Sequence, residues 1–403
     1  MLSTIIYRSH LSADVPLKTL EYLAVKANKK NEQHDVTGIL LFNGTHFFQV
    51  LEGPEQAVLS IYNGICNDPR HNNLVELLRD YAPSRRFGNV GMELFDLRDY
   101  DKESVLQSVL DKGTSKYQLT YKDRALQFLR TFVEAREKEN YFEIPPADYW
   151  DFVIDTSSLH QQGKEPGDNE TFNCAIQPVV DPFSCQIVSL EALIAHSDDN
   201  APLEHLSPLA REKIYQADLQ SKKTAFALAK KLDIAGQAFS VNLLPMTLVS
   251  VPGAVNFLLS EIEANGLVPE QIVVAVTEHD VISRIDEVET AIKQLKAAGI
   301  SLAIDNFGAG YAGLSLLVRF QPDRVKIDQS LICDVHKSGP KQAIVQAIIK
   351  CCSSLEISVT ATGVKKAEDW MWLEAAGIFY FQGDLFSKPQ QNGVPAVAWP
   401  EKS

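Results

Sequence analysis

The most regular hydrophobic pattern in the chain is a pair of apolar runs around an Asn-Gly step. Thr37–Phe42 and Thr45–Gly53 flank Asn43-Gly44, and β-prone runs about such a step predict a hairpin with a type I′ turn. Alternation then puts Phe47, Gln49 and Leu51 on one face of the second strand, and His46, Phe48 and Val50 on the other. Gln49 breaks the apolar series. A bare buried amide costs on the order of 1–3 kcal/mol, so this side chain needs a partner.

The flanking pattern predicts a small α/β domain over residues 1–97. Ser3–Ser9 alternates as a strand. Asp14 reads as a helix cap with Pro16 in the first turn, and Leu17, Leu20, Ala24 and Ala27 recur at helical spacing over about residues 15–30. After the hairpin, Pro54–Asn67 reads as a helix with Val58, Ile61 and Ile65 inward, and Leu74–Tyr81 and Met92–Leu97 read as strands. The order βαββαβ predicts a ferredoxin-like sandwich, one sheet backed by two helices.

Residues 98–145 carry two further helical patterns, Ser104–Leu110 and Asp123–Lys138. The second bears an apolar stripe of Leu126, Phe128, Leu129, Phe132 and Val133. Residues 146–170 turn irregular, and the polar, Gly/Pro-bearing run Gln161–Glu170 predicts a flexible linker.

Residues 171–398 repeat a different unit: a short β-rich run, a polar residue at its end, then a helical stretch. The runs are Phe239–Asn242, Val273–Glu278, Leu302–Asp305, Arg324–Asp328, Val359–Gly363 and Phe379–Gln382. Helical patterns such as Val288–Ala298 and Gln342–Leu355 lie between them. Such alternation predicts a (β/α)₈ barrel, a TIM-like fold that builds its sites at the C-terminal ends of its strands. The chain as a whole is thus an α/β multidomain protein.

Composition narrows the picture. The 403 residues are enough for two or three domains, and 45% hydrophobic with 22% charged is ordinary for a soluble protein. No apolar run approaches the roughly 18 residues of a membrane span, and Met1–Arg8 lacks signal-peptide features. Six scattered cysteines without metal spacing read as reduced thiols in a cytoplasm. The net charge of −14 argues against direct nucleic-acid binding and fits a basic partner or simple solubility.

Tyr7, Asn31, Gln49 and Met92, with Thr37-Gly38-Ile39-Leu40 and Phe48-Gln49-Val50-Leu51-Glu52-Gly53, resemble the BLUF family of blue-light flavin sensors across residues 1–97. Taken singly, Tyr7 and Met92 read as strand packing and Asn31 as a helix cap. The resemblance implies an FAD whose isoalloxazine ring lies between the two helices. It implies a Tyr7–Gln49 relay to that ring, Asn31 on its pyrimidine edge and Met92 against Gln49. A phenol can give an electron and a proton to an excited flavin. A Gln amide carries both donor and acceptor, so its rotation rewires hydrogen bonds without a covalent step. Asp68-Pro69-Arg70-His71 also resembles a family stretch, with Arg70 on the cofactor phosphates, and is equally accounted for as a surface turn. Val90 stands two before Met92, where some members carry Trp. In this family the helices after the sheet cap its open face and carry the signal onward.

The second half resembles the EAL family, two-metal phosphodiesterases of cyclic di-GMP. The resemblance rests on Gln177-Pro178-Val179-Val180-Asp181, Glu191-Ala192-Leu193, Val241-Asn242, Thr277-Glu278, Asp305-Asn306-Phe307-Gly308-Ala309-Gly310, Lys326-Ile327-Asp328 and Gln382-Gly383. Glu191, Asn242 and Asp305 remain at metal-ligand positions. Ala275, Asn306 and Thr362 stand where the family carries carboxylates, Lys365 reverses a charge, and Ala195 replaces a phosphate-binding Arg. Three lost oxygen ligands imply no metal site and no hydrolysis. Glu278, Lys326 and Gln382 persist and read as a loop brace, a buried ion pair and a strand-end cap.

The combination resembles the BLUF–EAL light- and temperature-regulated antirepressors of enterobacteria. That implies a lit state that binds a MerR-type transcriptional repressor and takes it off DNA. A light-regulated phosphodiesterase with an unusual metal site, and a dimer partner for another EAL protein, are the alternatives; the state of oligomerisation, a homodimer included, is left open.

Overall fold

The structure is a computed structural model. It describes residues 2–12, 16, 20–82, 85–87, 92–111, 123–134, 142–155, 172–196, 211–234, 236–277, 284–310, 313–391 and 393–402. Contacts divide the chain into two compact units, one of Met1–Ile144 with Asp334–Ile344, the other of Pro145–Cys333 with Val345–Ser403.

The first unit runs β1 (Leu2–Leu11), α1 (Leu20–Gln33), β2 (Thr37–Phe42), β3 (His46–Pro54), α2 (Glu55–Cys66), β4 (His71–Ala82), β5 (Glu93–Asp96), α3 (Lys102–Asp111) and α4 (Arg124–Glu134). Its sheet has the order β4-β1-β3-β2-β5. The expected cap at Asp14 lies outside the described residues, as do residues 135–138 of the second predicted connector helix.

The hairpin forms, but its turn is shifted. Phe42 pairs with Phe47, and the Asn43 N–H donates to the His46 carbonyl at 3.2 Å. The two-residue loop is therefore Gly44-Thr45. Only Gly44 takes a positive φ, +105°, which fits a type II′ turn rather than the expected I′. The Asn43 side chain caps the turn instead, its Oδ1 accepting from Thr45 N–H at 3.1 Å and His46 N–H at 2.8 Å.

The two faces of β3 separate as alternation requires. Phe48 and Val50 join Ile6, Ile39 and Leu41 in a core closed by α3 and α4. There Phe48 and Phe132 stack, centroids 5.1 Å apart and planes at 29°. Leu51 and Tyr7 pack on the other face against α2, and Phe47 packs beside Leu20 of α1. Residues 334–344 complete this unit: Ser338 bridges Glu76, and Gln342 Oε1 accepts from Arg8 at 3.4 Å.

The second unit holds β6 (Trp150–Asp155), β7 (Phe172–Asp181), β8 (Gln186–His196), α5 (Arg211–Lys231), β9 (Ala238–Leu243), β10 (Ile272–Thr277), β11 (Ser301–Phe307), β12 (Arg324–Ile327), β13 (Ser358–Ala361), β14 (Tyr380–Phe381), β15 (Gln390–Gln391) and β16 (Val397–Lys402), with further helices between the later strands. Strands β7 to β14 close an eight-stranded barrel through β14–β7. The strands from β8 to β14 are parallel, whereas β7 is antiparallel to both its barrel neighbours. A strict (β/α)₈ repeat is thus corrected at its first step. Pro182–Cys185 is a tight turn, too short for the crossover that parallel neighbours need. Asp181 Oδ1 holds it by accepting from Phe183 N–H at 3.0 Å.

The expected linker is also only partly irregular. Within residues 146–170, β6 pairs with β16, while residues 156–171 lie outside the described ones. Trp150 and Phe152 meet Trp370 edge-on at 5.3 and 5.7 Å. Burying large rings in this way offsets the entropy of ordering the strand. Among the described residues no helix is long and apolar enough to cross a membrane.

Candidate functional site

Helices α1 and α2 lie on one face of the sheet and leave a cavity of about 590 Å³ between them. Leu20 and Ala24 from α1, Ile61 and Ile65 from α2, and Leu40 and Phe47 from the sheet give it apolar walls. Tyr7, Asn31, Gln49, Arg70 and Met92 all line it, so the five residues named from sequence for the cofactor converge on one space. A mostly apolar cavity with a few fixed polar groups is the usual form of a cofactor site.

The floor is a hydrogen-bond relay. Tyr7 and Gln49 are direct cross-strand partners on β1 and β3. The Tyr7 hydroxyl donates to Gln49 Oε1, and Gln49 Nε2 donates to Met92 Sδ at 3.0 Å. Burial, followed by the nearby Cys66 and Asp68, pushes the phenol well above its ordinary range, so Tyr7 keeps its proton. The Gln49 amide thereby has the partners its burial demands. One of them, a thioether, is a weak acceptor that is readily given up.

Residues not singled out from sequence for this site complete it. Asn28 Oδ1 accepts from the Met92 backbone N–H at 2.6 Å, tying the start of β5 to α1. A signal for it existed, since Asn28 precedes Asn31 by one helical turn and shares its face. His71 donates to or accepts from Ser9 Oγ at 2.8 Å. Burial lowers its pKa against an opposing pull from Asp68, which favours the neutral ring. Lys26, Lys29 and Lys30 line the cavity beside Arg70. Arg70 itself is held by Asp68, with Nε 2.8 Å from Oδ1. That contact draws the Asp68 carboxyl down to about 2. Val90 lies outside the described residues.

This cavity fits a flavin. It offers apolar walls for the ring, an amide and a phenol for its polar atoms, and cationic side chains for phosphates. Among the described residues, Asp68 is the one carboxylate lining the cavity, and it is paired with Arg70.

The barrel unit gathers a second set across the barrel, from β8, β11, β12 and the residue after β14. Lys326 Nζ on β12 donates to both oxygens of Glu191 on β8, at 2.7 and 2.9 Å, and lies 3.3 Å from Asp305 Oδ1 on β11. Gln382 Nε2 donates to Glu191 Oε2 at 2.5 Å. Burial disfavours the Glu191 charge, but Lys326, with hydrogen bonds from Gln382 and Asn242, outweighs it and lowers the pKa. Asp305 moves the other way: burial and the Glu191 charge raise it against the pull of Lys326. Lys326 is held in its charged form, its burial outweighed by Asp305 and Glu191. Asn242 sits at the end of β9, and α5 fixes the chain just beyond it. Asp218 Oδ2 of α5 accepts from Leu244 N–H at 2.9 Å and Thr247 Oγ at 2.6 Å.

The positions without carboxylates are otherwise engaged. Ala275 is buried on β10 opposite Asn242. Asn306 takes a left-handed φ of +53°. Thr362 Oγ donates to the Ile327 carbonyl at 2.7 Å. Lys365 is exposed. Gly383 follows Gln382 where no side chain fits, since a Cβ there would lie 2.2 Å from the Val364 carbonyl oxygen. Glu278 lies outside the described residues, as does the side chain of Ala195. A pair of divalent ions needs several free anionic oxygens. With Ala275, Asn306 and Thr362 at three carboxylate positions, the present residues offer too few anionic oxygens for the two-metal centre that the fold implies.

Comparison with known proteins agrees with both halves. Residues 2–93 match the family described as sensors of blue-light using FAD, and residues 163–389 match the EAL domain. A blue light- and temperature-regulated antirepressor, BluF of Escherichia coli (strain K12), is 60% identical over the full length of both chains. BlrP1 of Klebsiella pneumoniae, solved as a pH 6 manganese/cy-diGMP complex, matches with a TM-score of 0.91 and 41% identity, covering 100% of each chain. The same protein with FMN and cyclic diGMP and no metal ions matches with a TM-score of 0.85 and 37% identity, again over 100% of each chain.

Proposed function

The chain belongs to the BLUF–EAL proteins, a blue-light flavin sensor domain fused to an EAL domain, and from that premise we propose that it signals through light-dependent protein binding rather than hydrolysis. The proposed output is relief of repression by a MerR-type transcriptional repressor, in the cytoplasm and without direct contact to nucleic acid. The proposed division is a ferredoxin-like sensor over residues 1–97, cap helices over 98–145, a connector over 146–170 and a degenerate EAL domain over 171–398.

The single observation that carries this reading is the Tyr7–Gln49–Met92 relay at the floor of the cavity. A bound flavin supplies light absorption and an excited state that takes up an electron. The chain supplies the rest. Tyr7 holds a proton against Gln49, and rotation of the Gln49 amide exchanges donor for acceptor toward both Tyr7 and Met92. Met92 leads directly into β5. There Leu94 faces the cavity and Phe95 packs on the opposite face with α3 and α4. A change in the Gln49–Met92 bond therefore has a short mechanical route to the cap helices. It alters partner affinity only if the partner binds the two states differently. FAD rather than FMN is the proposed flavin, because Lys26, Lys29 and Lys30 suit a diphosphate better than a single phosphate.

A second reading is a light-regulated cyclic di-GMP phosphodiesterase. It is favoured by the convergence of Glu191, Asp305, Lys326 and Gln382 at the barrel end, and by the likeness to BlrP1, a protein solved with manganese and cy-diGMP. Incubating the flavin-loaded protein with cyclic di-GMP and Mg²⁺ or Mn²⁺, dark and lit, separates the two. No linear product above a protein-free control is expected; light-stimulated product would establish the second reading.

A further inference from the structure

His10 and His46 are direct partners across β1 and β3. They continue the series Ile6 on one strand and Phe48, Val50 on the other, so they stand on the sheet face away from the cavity. Their ring centroids are 4.0 Å apart with planes at 51°. Glu143, nine residues beyond the end of α4, places Oε1 3.1 Å from His10 Nε2 and 3.9 Å from His46 Nε2. All three donor atoms lie within 4.8 Å of one another. Bonds of about 2.0–2.1 Å to a tetrahedral ion place donors about 3.3–3.4 Å apart, so the set is close to closing around one.

Nδ1 of His46 faces the turn and Nε2 faces the cluster. Thr45 Oγ donates to Asn43 Oδ1 at 3.2 Å, and lies 2.8 Å from His46 Nδ1. With that proton on Asn43, the hydroxyl oxygen can accept from Nδ1–H, the tautomer that an Nε2 metal ligand needs. In that tautomer His46 Nε2 presents its lone pair toward the Glu143 carboxylate, and a proton or a metal ion between them makes the contact favourable. A hydroxyl that fixes the tautomer of a ligating imidazole is the usual outer support of a metal site. One metal ion serves both rings at once, whereas protonating both would put two like charges in ring contact.

We propose that His10, His46 and Glu143 bind one divalent transition-metal ion of the zinc class. Two imidazoles and one carboxylate select Zn²⁺, Co²⁺, Ni²⁺ or Cu²⁺ over Mg²⁺ and Ca²⁺. The imidazoles are 18% and 12% exposed and Glu143 60% exposed, which leaves a fourth position open to water. The ion ties the chain beyond α4 to the hairpin end of the same sheet face that holds the cap helices.

Calorimetric titration of ZnCl₂ into tag-free, chelator-stripped, flavin-loaded full chain tests this, with MgCl₂ as the comparison. The expected result is a one-to-one Zn²⁺ site that Mg²⁺ does not fill. His46→Gln, His10→Gln and Glu143→Gln each weaken it at least about tenfold, and Thr45→Val weakens it by about 10–100-fold through the lost tautomer control. Flavin absorbance checks that each variant folds, and Glu143→Gln carries the test if a histidine variant does not. No Zn²⁺ binding by the parent protein, or affinity unchanged in Glu143→Gln, overturns the proposal.

Discussion

Replacing Lys326 by Met tests whether the barrel-end cluster is a closed ionic network. In the parent protein the ammonium satisfies both Glu191 oxygens, at 2.7 and 2.9 Å, and its side chain is 9% exposed against 2% for Glu191. Removing it leaves a buried carboxylate with Gln382 and Asn242 as its neutral donors. Breaking one side of a buried ion pair costs about 3–5 kcal/mol. The sign of the pH dependence also reverses. In the parent, the folded Glu191 pKa lies below the unfolded value of 4.5, so its stabilisation is present above that value and lost as pH falls through the folded pKa. In Lys326→Met the folded pKa rises above the unfolded one. Its contribution is then fully present below the unfolded value and lost as pH rises through the folded one, at about 1.4 kcal/mol per pH unit in between. The deficit against parent is therefore expected to be larger at pH 8 than at pH 5. All four tryptophans, Trp150, Trp370, Trp372 and Trp399, belong to the barrel unit, so urea unfolding followed by their fluorescence reports this unit. Adding Glu191→Gln to Lys326→Met is expected to recover most of the loss. Equal stability of Lys326→Met and parent at both pH values would refute the network.

Two further outcomes concern the sensor. Gln49→Leu removes both side-chain bonds of the relay; flavin is expected to bind, but the light-minus-dark absorption change to vanish, and a normal difference spectrum would exclude Gln49 as the switch. Phe132→Ala opens the stacking contact with Phe48 on the cap-helix face, at a cost of about 3–5 kcal/mol. The difference spectrum is expected to persist while the light effect on partner binding is lost, and an intact light effect would remove α4 from the signal route.

Much of the sensor was legible because its rules are local. Alternation along β3 put Gln49 and Phe48 on opposite faces, and the structure has them there. The turn slipped by one residue because an Asn side chain that caps a turn competes with an Asn backbone that forms one. What stayed hidden is long-range. Asn28 and the lysines at the cavity belong to the site only through the packing of α1 beside β5, and helical spacing alone does not tell such a face from an ordinary solvated one. The antiparallel β7 was missed because a four-residue turn reads locally like any loop. The placement of residues 334–344 with the first unit, through Ser338 and Glu76, has no local signature at all. In the barrel, the missing carboxylates at Ala275, Asn306 and Thr362 were visible as letters. The closure of Glu191 by Lys326 and Gln382 needed the barrel closed, since β8, β12 and β14 are not sheet neighbours.

The central claim is that light changes a grip on another protein. Its most direct test is the affinity of one flavin-loaded preparation for a purified MerR-type repressor, measured in the dark and under blue light. Coupling of the usual size, about 1–3 kcal/mol, predicts binding roughly 5–150-fold tighter in the light. Equal affinity in the two states would contradict the account.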